Sequence, residues 1–69
     1  MTKKDYDLIA ACIGNEQADN IDSKSARRCL DSLSYRLTCE FRLENPKFNE
    51  AIFWDRVEYW RKVASGEEK

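Results

Sequence analysis

Three cysteines, Cys12, Cys29 and Cys39, are candidate nucleophiles and metal ligands in this 69-residue chain. A cysteine nucleophile needs a neighbouring base, and a zinc site needs four ligands in closely spaced pairs. The sequence contains no histidine, and none of the cysteines forms a Cys-x-x-Cys pair. We therefore predict three free thiols that act as small apolar side chains, with no metal and no cofactor bound.

Paired carboxylates offer a second route to catalysis, because general acid–base chemistry uses two acids with different pKa values. Asp5 and Asp7 lie at the start of a predicted helix, and Glu67 and Glu68 lie in the C-terminal tail. There they complement a helix dipole or keep the surface soluble. No carboxylate falls on an apolar stripe, and two glycines are too few for a phosphate-binding loop. We predict no catalytic residues and a protein that is not an enzyme.

Length and charge restrict the class of protein. The composition, 42% hydrophobic and 36% charged, predicts a single small helical domain over residues 1–69, with a frayed tail from about residue 66. The net charge of −1 differs from the basic balance typical of proteins that bind a phosphate backbone. The first residues carry two carboxylates and no apolar stretch of signal length, so we expect no secretory signal. No apolar run approaches the roughly 20 residues of a membrane span. We expect a cytoplasmic protein with no membrane partner.

Apolar residues recur at helical spacing in three segments and alternate in none, which predicts an all-α fold. The segments cover residues 3–13, 23–44 and 50–64 and are joined by short connections. This order is typical of a small three-helix bundle. Phe48 precedes the third segment and pairs with Phe53 in a predicted hydrophobic staple, so we expect Phe48 to be buried.

Residues typical of helix caps flank each segment. The predicted start signals are a capping box of Thr2 and Asp5 with a staple of Met1 and Tyr6 for the first helix, Asp22 or Ser23 for the second, and Asn49 for the third. The predicted stop signals are Gly14-Asn15 for the first helix and Asn45-Pro46 for the second. The stop at Gly14-Asn15 is expected because both residues tolerate the left-handed backbone conformation. Residues 16–21 are then expected to form a polar loop, with or without a single helical turn.

The second and third helices each have a predicted inward face. On the second helix this face consists of Ala26, Cys29, Leu30, Leu33, Leu37 and Phe41, and on the third of Phe53, Val57, Trp60 and Ala64. Because Cys29 lies on such a face, we expect it to resist thiol reagents in the native protein.

Further apolar and aromatic side chains lie outside these inward faces. Trp, Tyr and Arg are the residue types that anchor protein interfaces, although single exposed apolar residues are also common without any function. The predicted partner-binding residues are Trp54, Arg56, Tyr59, Arg61 and Val63 on the third helix and Tyr35 on the second. The surplus apolar surface is expected either to form a homodimer or to bind a foreign protein.

Lysine and arginine side chains on the second helix favour an alternative hypothesis, a nucleic-acid-associated regulator. Lys24, Arg27 and Arg28 would contact phosphates, or else form a solvated face in which Asp31 pairs with an arginine. Because the overall charge is balanced, nucleic acid is the less favoured partner.

Two motifs at opposite ends of the chain resemble those of small proteins encoded by bacteriophages and prophages. The matching residues are Thr2-Lys3-Lys4-Asp5-Tyr6 with Ile9-Ala10, and Asn45-Pro46-Lys47-Phe48-Asn49 with Phe53. The chain departs from that pattern after Phe53, where aromatic residues extend the last helix as far as Ala64. The resemblance implies a bacterial cytoplasmic setting and a protein that binds a host or phage protein, modulating or inhibiting it in host takeover or anti-defence. It implies no specific activity.

Overall fold

Three α-helices make up the fold in the computed structural model, which describes residues 2–66. Helix α1 covers Lys3–Asp19, α2 covers Lys24–Glu44 and α3 covers Glu50–Ser65. Over the described range no residue is in a strand, and the all-α three-helix prediction is confirmed. The expected Met1 staple and the tail from residue 67 onward lie outside the described residues.

Side-chain caps set the start of every helix. Thr2 and Asp5 form the predicted capping box, in which each side chain accepts a hydrogen bond from the other residue's amide. Ser23 and Asn49 cap α2 and α3 by accepting from amides in the first turn. These bonds satisfy amides that have no partner within the helix. At the other end of α3, Gly66 adopts the left-handed conformation with φ 83°.

The predicted end of α1 at Gly14 is wrong. The helix continues through Gly14 to Asp19 and is capped by Asn20, whose backbone and side-chain N–H groups both donate to the Glu16 carbonyl. Residues 16–19 are therefore helical, and only residues 20–23 connect α1 to α2. Gly14 is buried against α3, so its lack of a side chain serves a helix contact and not a helix stop.

The core is small and lies mainly between α1 and α3, which pack together more extensively than either packs with α2. Its buried apolar members within residues 2–66 are Ala10, Ile13, Phe41, Phe53 and Val57. Leu37, Trp54 and Trp60 are half-buried against this cluster. Ala64, which the sequence places on the core line of α3, is exposed because it lies beyond the packed part of the helix.

The predicted inward face of α2 is wrong by roughly a fifth of a turn. Ser34 and Thr38 are fully buried, whereas Leu33 is 52% exposed and Cys29 is also exposed. Ala26, Leu30 and Leu37 are half-buried, and Phe41 is buried as predicted. The Ser34 hydroxyl donates to the Leu30 carbonyl at 2.7 Å and the Thr38 hydroxyl to the Tyr35 carbonyl at 2.8 Å. Because these short side chains satisfy their hydroxyls within the helix, α2 can bury them at little cost.

An aromatic cluster joins the turn before α3 to the core. The Phe48 ring lies 4.9 Å from Tyr6, 5.3 Å from Phe41 and 5.7 Å from Phe53, measured between centroids. The predicted Phe48–Phe53 staple is therefore present. Phe48 itself is only half-buried, contrary to expectation, because one side of its ring lines an open groove.

Exposure of the thiols predicts rapid modification. Cys12 and Cys29 are exposed and Cys39 is half-buried, so the expected protection of Cys29 is wrong. We expect Cys12 and Cys29 to react with an aromatic disulfide reagent nearly as fast in the native protein as in urea, and Cys39 several-fold more slowly. Single Cys→Ser variants assign the rates. Strong protection of Cys29 in the native protein would contradict this expectation and would show that another molecule covers that face of α2.

Candidate functional site

One side of α3 remains exposed although the helix packs against α1. Ile52 is 59% exposed, Tyr59 42% and Val63 37%, and Arg56 lies among them. These four residues recur every three or four positions and therefore share one side of the helix. We call them the α3 stripe.

Arg56 is held in place at the centre of the α3 stripe. Its Nε donates to Asp7 Oδ1 of α1 at 2.7 Å, and its guanidinium carbon lies 4.5 Å from the centre of the Tyr59 ring. The Trp60 indole donates to the same Asp7 oxygen at 3.2 Å. The Arg56 hydrogen bond is the main reason that the pKa of Asp7 lies below its ordinary value. The stripe thus presents an arginine and a tyrosine whose geometry is already set before any partner binds.

Acid should weaken the fold partly through Asp7. Because its pKa is lower in the folded protein than in the unfolded chain, its stabilisation is present above the unfolded value of about 4 and is lost as the pH falls through the folded value. We expect the urea midpoint of Asp7→Asn to fall less than that of wild type between pH 5 and pH 3.

Asp5 should also contribute to the loss of stability in acid, because hydrogen bonds with Thr2 lower its pKa as well. Asp7→Asn should therefore keep part of the acid sensitivity, and Asp5→Asn provides the matched comparison. Parallel pH profiles for Asp7→Asn and wild type would show that the Asp7–Arg56 pair contributes nothing measurable.

The other predicted partner-binding residues lie away from the α3 stripe. Trp54 is half-buried against the core, where its indole donates to Glu50 Oε1 at 3.3 Å. Arg61 is half-buried and lines a cleft with residues from α1 and α2. Tyr35 is exposed on α2. Of the six predicted residues, the structure therefore brings together Arg56, Tyr59 and Val63.

The basic residues of the alternative hypothesis lie at the start of α2. Lys24, Arg27 and Arg28 are exposed there. Arg27 lines the same cleft as Asp31, which places a carboxylate next to the candidate phosphate contacts. This mixture of charges is weaker support for nucleic acid than a uniformly basic face would be.

A groove beside the α3 stripe was missed by sequence reasoning. It has a volume of about 490 Å³ and is lined by Lys3, Tyr6, Asp7, Asn45, Lys47, Phe48, Asn49, Ile52, Phe53 and Arg56. These residues come from the first turns of α1, the turn before α3 and the start of α3. Sequence patterns assigned most of them to caps and staples and Arg56 to a partner-binding surface. Local spacing carries no signal that three separated segments meet.

Comparison with known protein families, with curated proteins and with solved structures finds no match to this chain. Among residues 2–66 no three cysteine or carboxylate side chains are grouped closely enough to hold a metal ion. No helix in this range has the length and apolar character needed to cross a bilayer. The α3 stripe and the adjoining groove are the features from which a function can be argued.

Proposed function

We propose that this protein is a non-catalytic interaction module that binds another protein through the α3 stripe. The resemblance to small phage proteins supports a bacterial setting in which the partner is a host or phage protein that becomes modulated or inhibited. The observation that carries the proposal is the contact between the half-buried Arg56 and the exposed Tyr59, in which Asp7 of the neighbouring helix holds Arg56 in place.

Preorganisation explains why this pair suits an interface. Arginine and tyrosine dominate binding energy at protein interfaces, and binding is weakened when flexible side chains must be ordered. Here Arg56 is held by Asp7 and lies over the Tyr59 ring before binding. Ile52 and Val63 supply apolar surface at the two ends of the stripe.

Self-association is the second candidate, because the same apolar surface can be covered by another copy of the chain. A twofold dimer would stabilise a domain that has few buried apolar residues. Sedimentation over a range of concentrations separates the two candidates. A dimer that Tyr59→Asp or Val63→Asp dissociates without unfolding supports self-association.

Differential capture from a bacterial lysate tests the proposal. The immobilised baits are wild type, Tyr59→Asp, Val63→Asp and, as a control, Leu43→Asp, which changes an exposed residue of α2. We expect a specific protein to be retained by wild type and Leu43→Asp and to fall at least tenfold with the two α3 variants. Loss of a hot-spot contact of about 2 kcal/mol corresponds to a change of roughly thirtyfold in affinity.

Salt separates this proposal from the nucleic-acid alternative. An interface built on the α3 stripe should survive a wash at high salt, whereas phosphate contacts through Lys24, Arg27 and Arg28 should not. Equal retention of every captured protein by all four baits would refute binding through the stripe. Capture of nucleic acid that is lost with salt and with Arg27→Glu would favour the alternative.

A further inference from the structure

The groove beside the α3 stripe has an apolar floor of a size that fits a bulky side chain. Tyr6, Phe48, Ile52 and Phe53 line it, and its volume of about 490 Å³ falls within the range of small ligand pockets. The Tyr6, Phe48 and Phe53 rings pack against one another or against Phe41, so the floor is formed before anything binds.

The rim of the groove is positively charged although the chain as a whole carries −1. Lys3, Lys47 and Arg56 line it against a single carboxylate, Asp7. Asp7 already accepts hydrogen bonds from Arg56 and Trp60, so its charge is compensated. Within residues 2–66, neither Lys3 nor Lys47 has a carboxylate within ion-pair distance. An occupant therefore meets two lysines that are not paired with a carboxylate of the described residues.

We infer that the groove binds an acidic segment of the partner protein, in which one bulky apolar side chain is flanked by carboxylates. The apolar side chain fills the floor, and the carboxylates pair with Lys3 and Lys47 in charge-assisted hydrogen bonds. This inference rests on the proposed function and supplies the chemistry of the partner.

A protein segment fits this surface better than a free small acid. Ile52 and Arg56 belong to both the groove and the α3 stripe, so the two surfaces are continuous. From Ile52 to Val63 the stripe extends about 16 Å along the helix, at 1.5 Å per residue. A small acid would occupy the groove and leave the rest of that length uncovered.

Selection from a random 12-residue peptide library tests the inference. The library is selected on the wild-type protein, and labelled copies of the enriched peptides are titrated by fluorescence anisotropy. The variants are Lys3→Glu/Lys47→Glu at the groove and, as a control with the same change in charge, Lys24→Glu/Arg28→Glu on α2. All four positions are exposed, and circular dichroism checks that each variant is folded.

We expect the enriched peptides to combine Asp or Glu with Phe, Trp, Leu or Met, and to bind the groove variant at least tenfold more weakly. Affinity for the α2 variant should stay within about threefold, which allows for the change in overall charge. Peptides without acidic residues, equal loss of affinity in both variants, or no enrichment would each overturn the inference.

The same peptides test the proposed function independently of the groove. Neutral or basic peptides that lose affinity with Tyr59→Asp would refute the acidic segment and leave binding through the stripe intact. Acidic peptides that depend on Lys3 and Lys47 but not on Tyr59 would support the groove and count against the stripe.

Discussion

Phe53→Ala is expected to remove a large part of the free energy of unfolding of this protein. Phe53 is buried, and its ring lies 5.6 Å from Phe41 and 5.7 Å from Phe48 between centroids. Truncating a buried Phe costs about 3–5 kcal/mol. A domain of this length has a free energy of unfolding of about 3–10 kcal/mol, at roughly 0.05–0.15 kcal/mol per residue. Urea unfolding followed by circular dichroism measures the loss.

Two further truncations test whether the loss of stability follows the burial of the side chain. Phe48→Ala removes a half-buried ring from the same cluster and should cost about 1–2 kcal/mol. Leu43→Ala changes an exposed side chain and should stay within about 0.5 kcal/mol of wild type. If Phe48→Ala proved as damaging as Phe53→Ala, the turn before α3 would be more deeply packed than the structure shows.

Gly14→Ala is expected to destabilise the protein by about 2 kcal/mol, although alanine favours helices. A Cβ atom on Gly14 would lie 2.7 Å from the Val57 carbonyl oxygen and 2.7 Å from the Arg61 amide nitrogen. Both are backbone atoms of α3, so they cannot move aside as a flexible side chain can. Overpacking of this kind costs about 3 kcal/mol, against a gain in helix propensity of about 1 kcal/mol. The melting temperature should fall by roughly 8–16 °C.

Asn15→Ala is the matched control for Gly14→Ala. Asn15 is the next residue of α1 and is exposed, so alanine there gains helix propensity without meeting α3. We expect it to stabilise the protein by about 0.5 kcal/mol. A loss of stability from Gly14→Ala together with a gain from Asn15→Ala would indicate a close contact between α1 and α3 at Gly14. A stabilising Gly14→Ala would show that α1 and α3 are further apart.

Gly14 also shows where local sequence rules fail. Glycine followed by asparagine is a common end for a helix, and the sequence alone predicts a stop there. The structure instead uses Gly14 to bring α1 against α3, and the helix continues to Asp19. By contrast, Thr2, Ser23 and Asn49 were predictable because a cap depends on bonds within its own turn.

The orientation of α2 illustrates a second limit. Its leucines form the most apolar stripe, which predicts that Leu33 faces the core. The structure buries Ser34 and Thr38 instead, because short side chains with internally bonded hydroxyls allow close packing. Hydrophobicity alone cannot distinguish two adjacent faces when the helix that packs against them is unknown.

The candidate site also combines features that the sequence predicts with features that it does not. Helical spacing alone places Arg56, Tyr59 and Val63 on one side of α3, and the structure confirms that arrangement. The Asp7–Arg56 pair could not be predicted, because 49 residues separate its members and only the packing of α1 on α3 brings them together. The groove has the same origin, since its walls come from three separate segments.

Photo-crosslinking tests binding through the α3 stripe most directly. A benzophenone amino acid replaces Tyr59 in one version of the protein and Leu43 in another, and each is irradiated in bacterial cytoplasm. We predict an adduct with one foreign protein from position 59 and none with that protein from position 43. The same adducts from both positions, an adduct with a second copy of this chain alone, or no adduct from position 59 would contradict the proposed function.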